Sequence, residues 1–316
     1  MIEVKNLTRR FGRVTAVDHV SFSIPESGVT GLLGVNGAGK TTILNMLTGC
    51  IPPTSGQILL DGMDMMDQPR ACRRLIGFLP ERPPLYDEMQ VEDYLQFVCR
   101  LREVEKPEIP SHVAEILKIT GLEDVRGRLL GHLSRGYRQR AGIAQALCGT
   151  PPVLVLDEPS VGLDPRQVSE IRQLIRELGK KHTVIFSSHM LTEVQQVCDR
   201  IMILHQGRLV HEADLSMVEQ SRDSQTYYVE IAGSPERIVP AVKSLGCIRR
   251  VRQDRDTDGN VTRLTMECTV SQDKDDPRIE LFHLLSAMDA PVLQLRLEKN
   301  SLEDVFLRVT GRGAEE

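Results

Sequence analysis

Four residues at fixed spacing mark the first place in this chain where chemistry is expected. In GVNGAGKTT, Gly34, Gly39, Lys40 and Thr41 stand in the register G-x-x-x-x-G-K-[ST]. Glycines let such a loop curl so that successive backbone N–H groups turn inward around a phosphate; here the run is Gly34, Val35, Asn36, Gly37, Ala38, Gly39, Lys40, Thr41 and Thr42. Lys40 can reach the β- and γ-phosphates of a nucleoside triphosphate, and the Thr41 hydroxyl can bind Mg²⁺. A second place is VLVLDEP, an apolar run ending in the adjacent carboxylates Asp157 and Glu158. Acids at the end of a buried parallel strand lie at the mouth of the sheet, where open α/β sheets take their ligands. His189 follows a further apolar run, TVIFSS, and is expected at the same mouth.

Other candidates accompany these. Phe11 stands alone in TRRFGRVTAV and reads either as a packing residue or as a flat face for adenine supported by Val17. Glu81 sits at the end of a short apolar strand, before a proline-rich bend. Ser134 in HLSRGYRQR can cap a helix, so the N–H groups from Ser134 to Gly136 project from its positive end and could hold a second phosphate. Arg135, Arg138 and Arg140 read as a solvated helix face. His205 and His211, separated by a Gln206-Gly207 turn, gather no ligand set.

Positioning these residues requires a parallel sheet with helices between its strands. Val29 to Leu33 reads as a buried strand, and Thr42 to Leu47 as a helix whose positive end faces the phosphates. Strands are expected at Ile2 to Val4, Val20 to Ile24, Gln57 to Asp61, Leu75 to Leu79, Val153 to Leu156, Thr183 to Ser187 and Ile201 to Leu204. A helix is expected from Pro165 to Lys181. Residues from about 84 to 150 change to helical spacing, which predicts a helical subdomain inserted into the sheet domain. From Thr226 the pattern changes again. Strands at Tyr227 to Ala232, Ile248 to Arg252, Val261 to Val270 and Val292 to Leu297, with helices at Glu236 to Leu245 and Pro277 to Met288, spell βαββαβ, the ferredoxin-like order. A last helix is expected from Leu302 to Val309.

Composition narrows the partners. With 316 residues, 41% hydrophobic and 26% charged, the chain has room for one large α/β domain and a smaller one. A net charge of -5 gives no global attraction to nucleic acid or anionic lipid. Seven scattered cysteines without a CxxC pair read as reduced residues packed in cores. No run of eighteen apolar residues exists, and MIEVKNLTRRFG lacks the apolar core of a signal peptide. The chain is therefore expected to stay out of the bilayer, and any pore it drives is another polypeptide.

With GVNGAGKT, LSRGYRQR, VLVLDEP, GLDP and SSHM in this order, residues 1 to about 215 resemble the ATP-binding subunit of an ABC transporter. IGFLPERPPLYDEM, LSRGYRQR and the terminal NSLEDVFLRVTG look most like the exporter branch that includes gliding-motility subunits. The resemblance implies a P-loop NTPase core of ABC type with an inserted helical subdomain over residues 1 to 220; the βαββαβ pattern assigns 221 to 316 to a small accessory α+β domain. It makes residues 34 to 42 the Walker A loop, Asp157 with Glu158 the Walker B pair, Ser134 with Gly136 the signature, Asp164 the D-loop residue and His189 the switch histidine. Phe11 then falls where the family keeps its adenine-stacking aromatic. Arg135 and Tyr137 stand where the family signature has Gly and Gln, and Glu81 stands where it has the Q-loop glutamine. A carboxylate can hold Mg²⁺ through oxygen, as glutamine would.

What the resemblance implies about mechanism is ATP hydrolysis with Mg²⁺ as cofactor. Lys40 and the loop hold the phosphates, Thr41, Asp157 and Glu81 place the metal, Glu158 orients and deprotonates water, and His189 contacts the γ-phosphate. Ser134 would complete the site of a second copy or a homologous subunit, and Gly136 and Asp164 are counted with it among the nucleotide-binding residues. The implied partner is an integral-membrane permease, with the chain cytoplasmic and peripheral at the membrane face. A soluble ABC ATPase acting on nucleic acid or ribosomes is the alternative; a single cassette, no sustained heptads and negative charge weigh against it.

Overall fold

A computed structural model describes residues 1–215, 224–253, 261–269 and 276–298. The chain divides into two compact units, Met1–Leu215 and Ser216–Ala314.

The first unit is built on a six-stranded sheet. Its strands are β3 (Gly28–Leu33), β6 (Ile76–Leu79), β7 (Val153–Leu156), β8 (Thr183–Ser188), β9 (Arg200–His205) and β10 (Arg208–Asp214), in the order β10-β9-β3-β8-β7-β6. All neighbours pair in parallel except β10, which folds back antiparallel on β9. Every residue of β7 and β8 is buried, the pattern of strands covered on both faces, and so their sequences run apolar without alternating. A second, antiparallel sheet of β1 (Ile2–Phe11), β2 (Val14–Ile24), β4 (Ser55–Leu60) and β5 (Met63–Asp64) has the order β2-β1-β4-β5. Leu7, Val20, Ile43, Leu44, Ile58 and Leu204 belong to one buried core that takes in both sheets and the helix α1 (Lys40–Leu47).

Helices fill the connections. After β5 comes α2 (Pro69–Arg74), and between β6 and β7 lie α3 (Val91–Leu101), α4 (Ile109–Thr120) and α5 (Arg135–Leu147). On α3 the buried residues Val91, Tyr94, Leu95 and Cys99, and on α4 Ile109, Val113, Ile116 and Leu117, recur at helical spacing, so each helix turns one apolar stripe inward. Gly121, at φ 64, ends α4 in the left-handed conformation that glycine adopts without penalty. Between β7 and β8 runs α6 (Pro165–Gly179), two residues shorter than its expected span, and α7 (Leu191–Val197) joins β8 to β9.

The second unit is a four-stranded antiparallel sheet of β11 (Ser224–Ala232), β12 (Ile248–Gln253), β13 (Val261–Thr269) and β14 (Val292–Glu298), ordered β12-β13-β11-β14. Helices Pro235–Lys243 and Pro277–Ala287 contribute Ile238, Val242, Leu281 and Leu285 to a core completed by Val229, Ile231 and Leu264. The helix expected over 302–309 lies outside the described residues.

Candidate active site

The phosphate-type loop begins where β3 ends. Two of its glycines have no substitute. A Cβ at Gly34 would lie 2.7 Å from the Leu204 carbonyl oxygen; one at Gly39, which sits at φ 103, would lie 2.6 Å from that of Ala16. The loop is closed by Ala38 N–H donating to Val35 O at 3.1 Å and is tied to the β9–β10 hairpin, whose Gly207 N–H donates to Ala38 O at 3.0 Å. Gly207 O in turn accepts from Asp18 N–H of β2 at 2.8 Å. Val35, Asn36, Gly37 and Thr41 are exposed around this anchored frame, and Thr42 is half-buried.

Lys40 opens α1 with only 6% of its surface exposed. Its Nζ donates to Gly34 O at 2.7 Å and lies 3.3 Å from Glu158 Oε1. The loop thus curls around its own lysine, and the cation is balanced by the carboxylate from the end of β7. Asp157 and Glu158 are 1% and 8% exposed. Asp157 N–H continues the β6–β7 ladder by donating to Leu79 O at 2.8 Å, and Glu158 takes a positive φ of 47. That left-handed turn breaks strand alternation, so the second acid does not simply point away from the first.

Ser187 completes this corner. Its hydroxyl donates to Asp157 Oδ1 at 2.6 Å and accepts from Glu158 N–H at 2.9 Å. No local pattern marks Ser187; the signal is long-range, because the pairing of Leu156 with Phe186 brings the residues that follow them, Asp157 and Ser187, side by side. Beyond Ser187 the chain turns, fixed by Ser188 Oγ donating to Glu193 Oε2 at 2.7 Å and accepting from Met190 N–H at 3.0 Å. The turn carries His189, whose Nδ1 shares a 2.8 Å hydrogen bond with Glu158 Oε2. Lys40, Asp157, Glu158, Ser187 and His189 therefore form one connected cluster.

Other expected residues stand apart. Ser134 caps α5, its Oγ accepting from Tyr137 N–H at 3.5 Å; Asp164 caps α6, its Oδ1 accepting from Gln167 N–H at 2.9 Å. Gly136 is pressed on the same Gln167, whose Oε1 would be 2.6 Å from a Cβ there, so the two helix starts abut. Among the described residues no hydrogen bond or ion pair joins Ser134, Gly136 or Asp164 to Lys40 or the two acids. Glu81 is exposed and unpaired among the described residues. Phe11, at the tip of the β1–β2 hairpin, is 48% exposed, whereas Val17 is 0% exposed. Val17 therefore has no surface to offer a base, and its expected contact is corrected to a place in the core. Of the three arginines of α5, Arg135 is exposed as expected, whereas two depart from a solvated face: Arg138 pairs with Asp87 at 2.6 Å, and Arg140 with Glu170 at 2.6 Å and with Thr120 O at 2.9 Å.

The residues fit Mg²⁺. Thr41 offers an exposed hydroxyl and Asp157 a carboxylate oxygen, Oδ2, free of hydrogen bonds among the described residues. Two hard oxygen donors from protein, with the remainder left to phosphate and water, is the donor set that this ion favours.

A family model described as "ABC transporter" matches residues 17–161. The ABC transporter ATP-binding protein NatA of Bacillus subtilis is 36% identical over 72% of this chain and 96% of its own length. The chain belongs to the ABC transporter ATP-binding proteins. Bacitracin transport ATP-binding protein BcrA of Bacillus licheniformis is 30% identical over 99% of this chain and 98% of that protein. Among solved structures, the post-hydrolysis dimer of the ATP-binding cassette MJ0796 with ADP and phosphate aligns with a TM-score of 0.63 and 26% identity over 68% of this chain and 99% of that one. As an ABC ATP-binding protein, the chain has the P-loop ATPase fold and is the ATP-hydrolysing subunit of a transporter. Among the described residues no helix is long and apolar enough to cross a membrane.

Proposed function

We propose that this ABC ATPase energises export through an integral-membrane permease, working as a dimer at the cytoplasmic membrane face. The observation that carries the reading is the cluster in which Glu158 is held at once by Lys40 and His189, set beside a match to a bacitracin transport protein over nearly the full chain. In this reading Lys40 and the N–H groups of residues 34 to 42 grip the triphosphate, and Phe11 stacks on the adenine. Thr41 and Asp157, with Glu81, would hold Mg²⁺, which when bound would supply neutralisation of the charge on the phosphates. Glu158 accepts the proton of the attacking water, and His189, already hydrogen-bonded to that carboxylate, orients it and contacts the γ-phosphate.

Ser134, Gly136 and Asp164 take no part in their own Lys40 cluster, which supports their completing the site of a second copy or a homologous subunit. Two ATP molecules then hold the dimer, and hydrolysis releases it. We read residues 84 to 150 as the inserted helical subdomain, and the second unit, from its strand order, as a ferredoxin-like accessory domain. The surface from Glu81 to Met89 carries exposed Tyr86 and borders a cavity of about 430 Å³ lined by Phe78, Pro80, Pro84 and Val98; the permease is assigned to this face. Affinity capture of the tagged chain from detergent-solubilised membranes tests the reading. Recovery of a multi-span protein that raises ATPase activity of the wild type, and not of Lys40→Ala, is expected; sedimentation with ribosomes and no such partner overturns it.

A further inference from the structure

Phe11 is not a free-standing ring. The guanidinium carbon of Arg9 lies 4.6 Å from its centroid, over one face. The same guanidinium donates through Nη1 to Pro52 O at 2.8 Å, which holds the cation in place. No carboxylate pairs with Arg9 among the described residues, so its charge is not spent on an ion pair, and its Nε is buried without a partner. Neighbouring bonds fasten the same corner: Thr54 N–H donates to Thr8 O at 2.8 Å, and Arg10 N–H to Thr54 Oγ1 at 3.0 Å. The Pro52 loop is itself stapled to α1, because Cys50 and Ile51 N–H both donate to Asn45 O, at 2.8 and 3.2 Å.

We infer that Arg9 is a positioning residue for nucleotide binding: it covers one face of Phe11, fixes the ring against the loop that follows α1, and leaves the opposite face for the base. The inference rests on the reading of Phe11 as the adenine platform. Its physical content is a three-layer stack of guanidinium, phenyl ring and purine. A cation over an aromatic face is attracted by the ring quadrupole, and a ring held in one orientation loses less freedom when a base settles on it. Recognition by stacking alone reads the size of the base and none of its hydrogen-bonding edge, so ATP and GTP should depend on Arg9 to the same degree.

A double-mutant cycle on the full chain provides the test, with Mg²⁺-ATP affinity and ATPase kinetics as readouts. Arg9→Met keeps the aliphatic length and removes the charge. It should raise Kd and KM for ATP and GTP about two- to five-fold, the size of an exposed cation–π contact, and leave kcat unchanged. The effect should vanish in a Phe11→Ala background, and inhibition by tripolyphosphate, which has no base, should be unaltered throughout. An Arg9→Met penalty that persists in Phe11→Ala, or that extends to tripolyphosphate, overturns the inference by assigning Arg9 to the loop alone. An unchanged Arg9→Met beside a weakened Phe11→Ala overturns it and leaves the platform standing. A Phe11→Ala variant with native ATP affinity removes the platform itself.

Discussion

His189 Nδ1 and Glu158 Oε2 meet at 2.8 Å across the ends of neighbouring parallel strands, while the other oxygen of that carboxylate faces Lys40 at 3.3 Å. A glutamine at position 158 keeps the shape of the side chain and loses both its charge and its capacity to take a proton. Glu158→Gln is therefore expected to bind ATP and to hydrolyse it about 10² to 10⁴ times more slowly, the range for loss of a general base. With hydrolysis stalled, an ATP-dependent dimer should appear in size-exclusion chromatography. Normal turnover by this variant would take Glu158 out of the catalytic role.

Ser187→Ala removes two bonds at once, one to the carboxylate of Asp157 and one from the backbone of Glu158. Leaving buried polar groups unpaired costs about 1 to 3 kcal/mol each, so thermal unfolding should shift to lower temperature. Because both acids are positioned by this hydroxyl, kcat should fall more than KM rises. Ser187→Thr, which keeps the hydroxyl, should recover part of the rate, and an equal loss in both variants would argue for packing alone.

The two left-handed glycines of the loop should not be equally tolerant. At Gly39 an added methyl group meets the Ala16 carbonyl at 2.6 Å, whereas at Gly37, φ 81, nothing lies within 4 Å. Gly37→Ala carries only backbone strain, about 1 kcal/mol. Gly39→Ala must in addition displace β2 or the loop, so its melting temperature should be the lower of the two. The reverse order in a calorimetric scan would contradict this packing.

Tyr86 rests its ring against Tyr94 and Phe97, each at 5.8 Å between centroids, yet remains exposed. Replacing Leu85 and Tyr86 together by alanine should abolish permease-dependent transport and spare basal ATPase activity. Loss of basal hydrolysis would place this surface in the nucleotide site instead.

Much of this arrangement was legible in the amino acids because it rests on local rules. VLVL and TVIFSS could only be strands covered on both faces, and the glycine spacing at 34 to 39 announced a loop that no other residue could form. Two elements carried no such signal. In α2, PRACRR buries Cys72 alone, so no apolar stripe marks a helix; β10 has no buried residue and is held by its pairing to β9. Ser187 and Val17 show the limit from the other side. Their surroundings are fixed by register and core packing between distant segments, which composition and spacing do not encode.

The hairpin turn at Gln206-Gly207 joins residues far apart along the chain, since its glycine grips the loop through Ala38 and β2 through Asp18. Surface turns are ordinarily the first places to accept an epitope tag, a protease site or a permuted terminus. This one is a keystone: opening it would let the nucleotide cradle slacken while every strand stayed paired, and an engineer seeking an insertion point should look elsewhere.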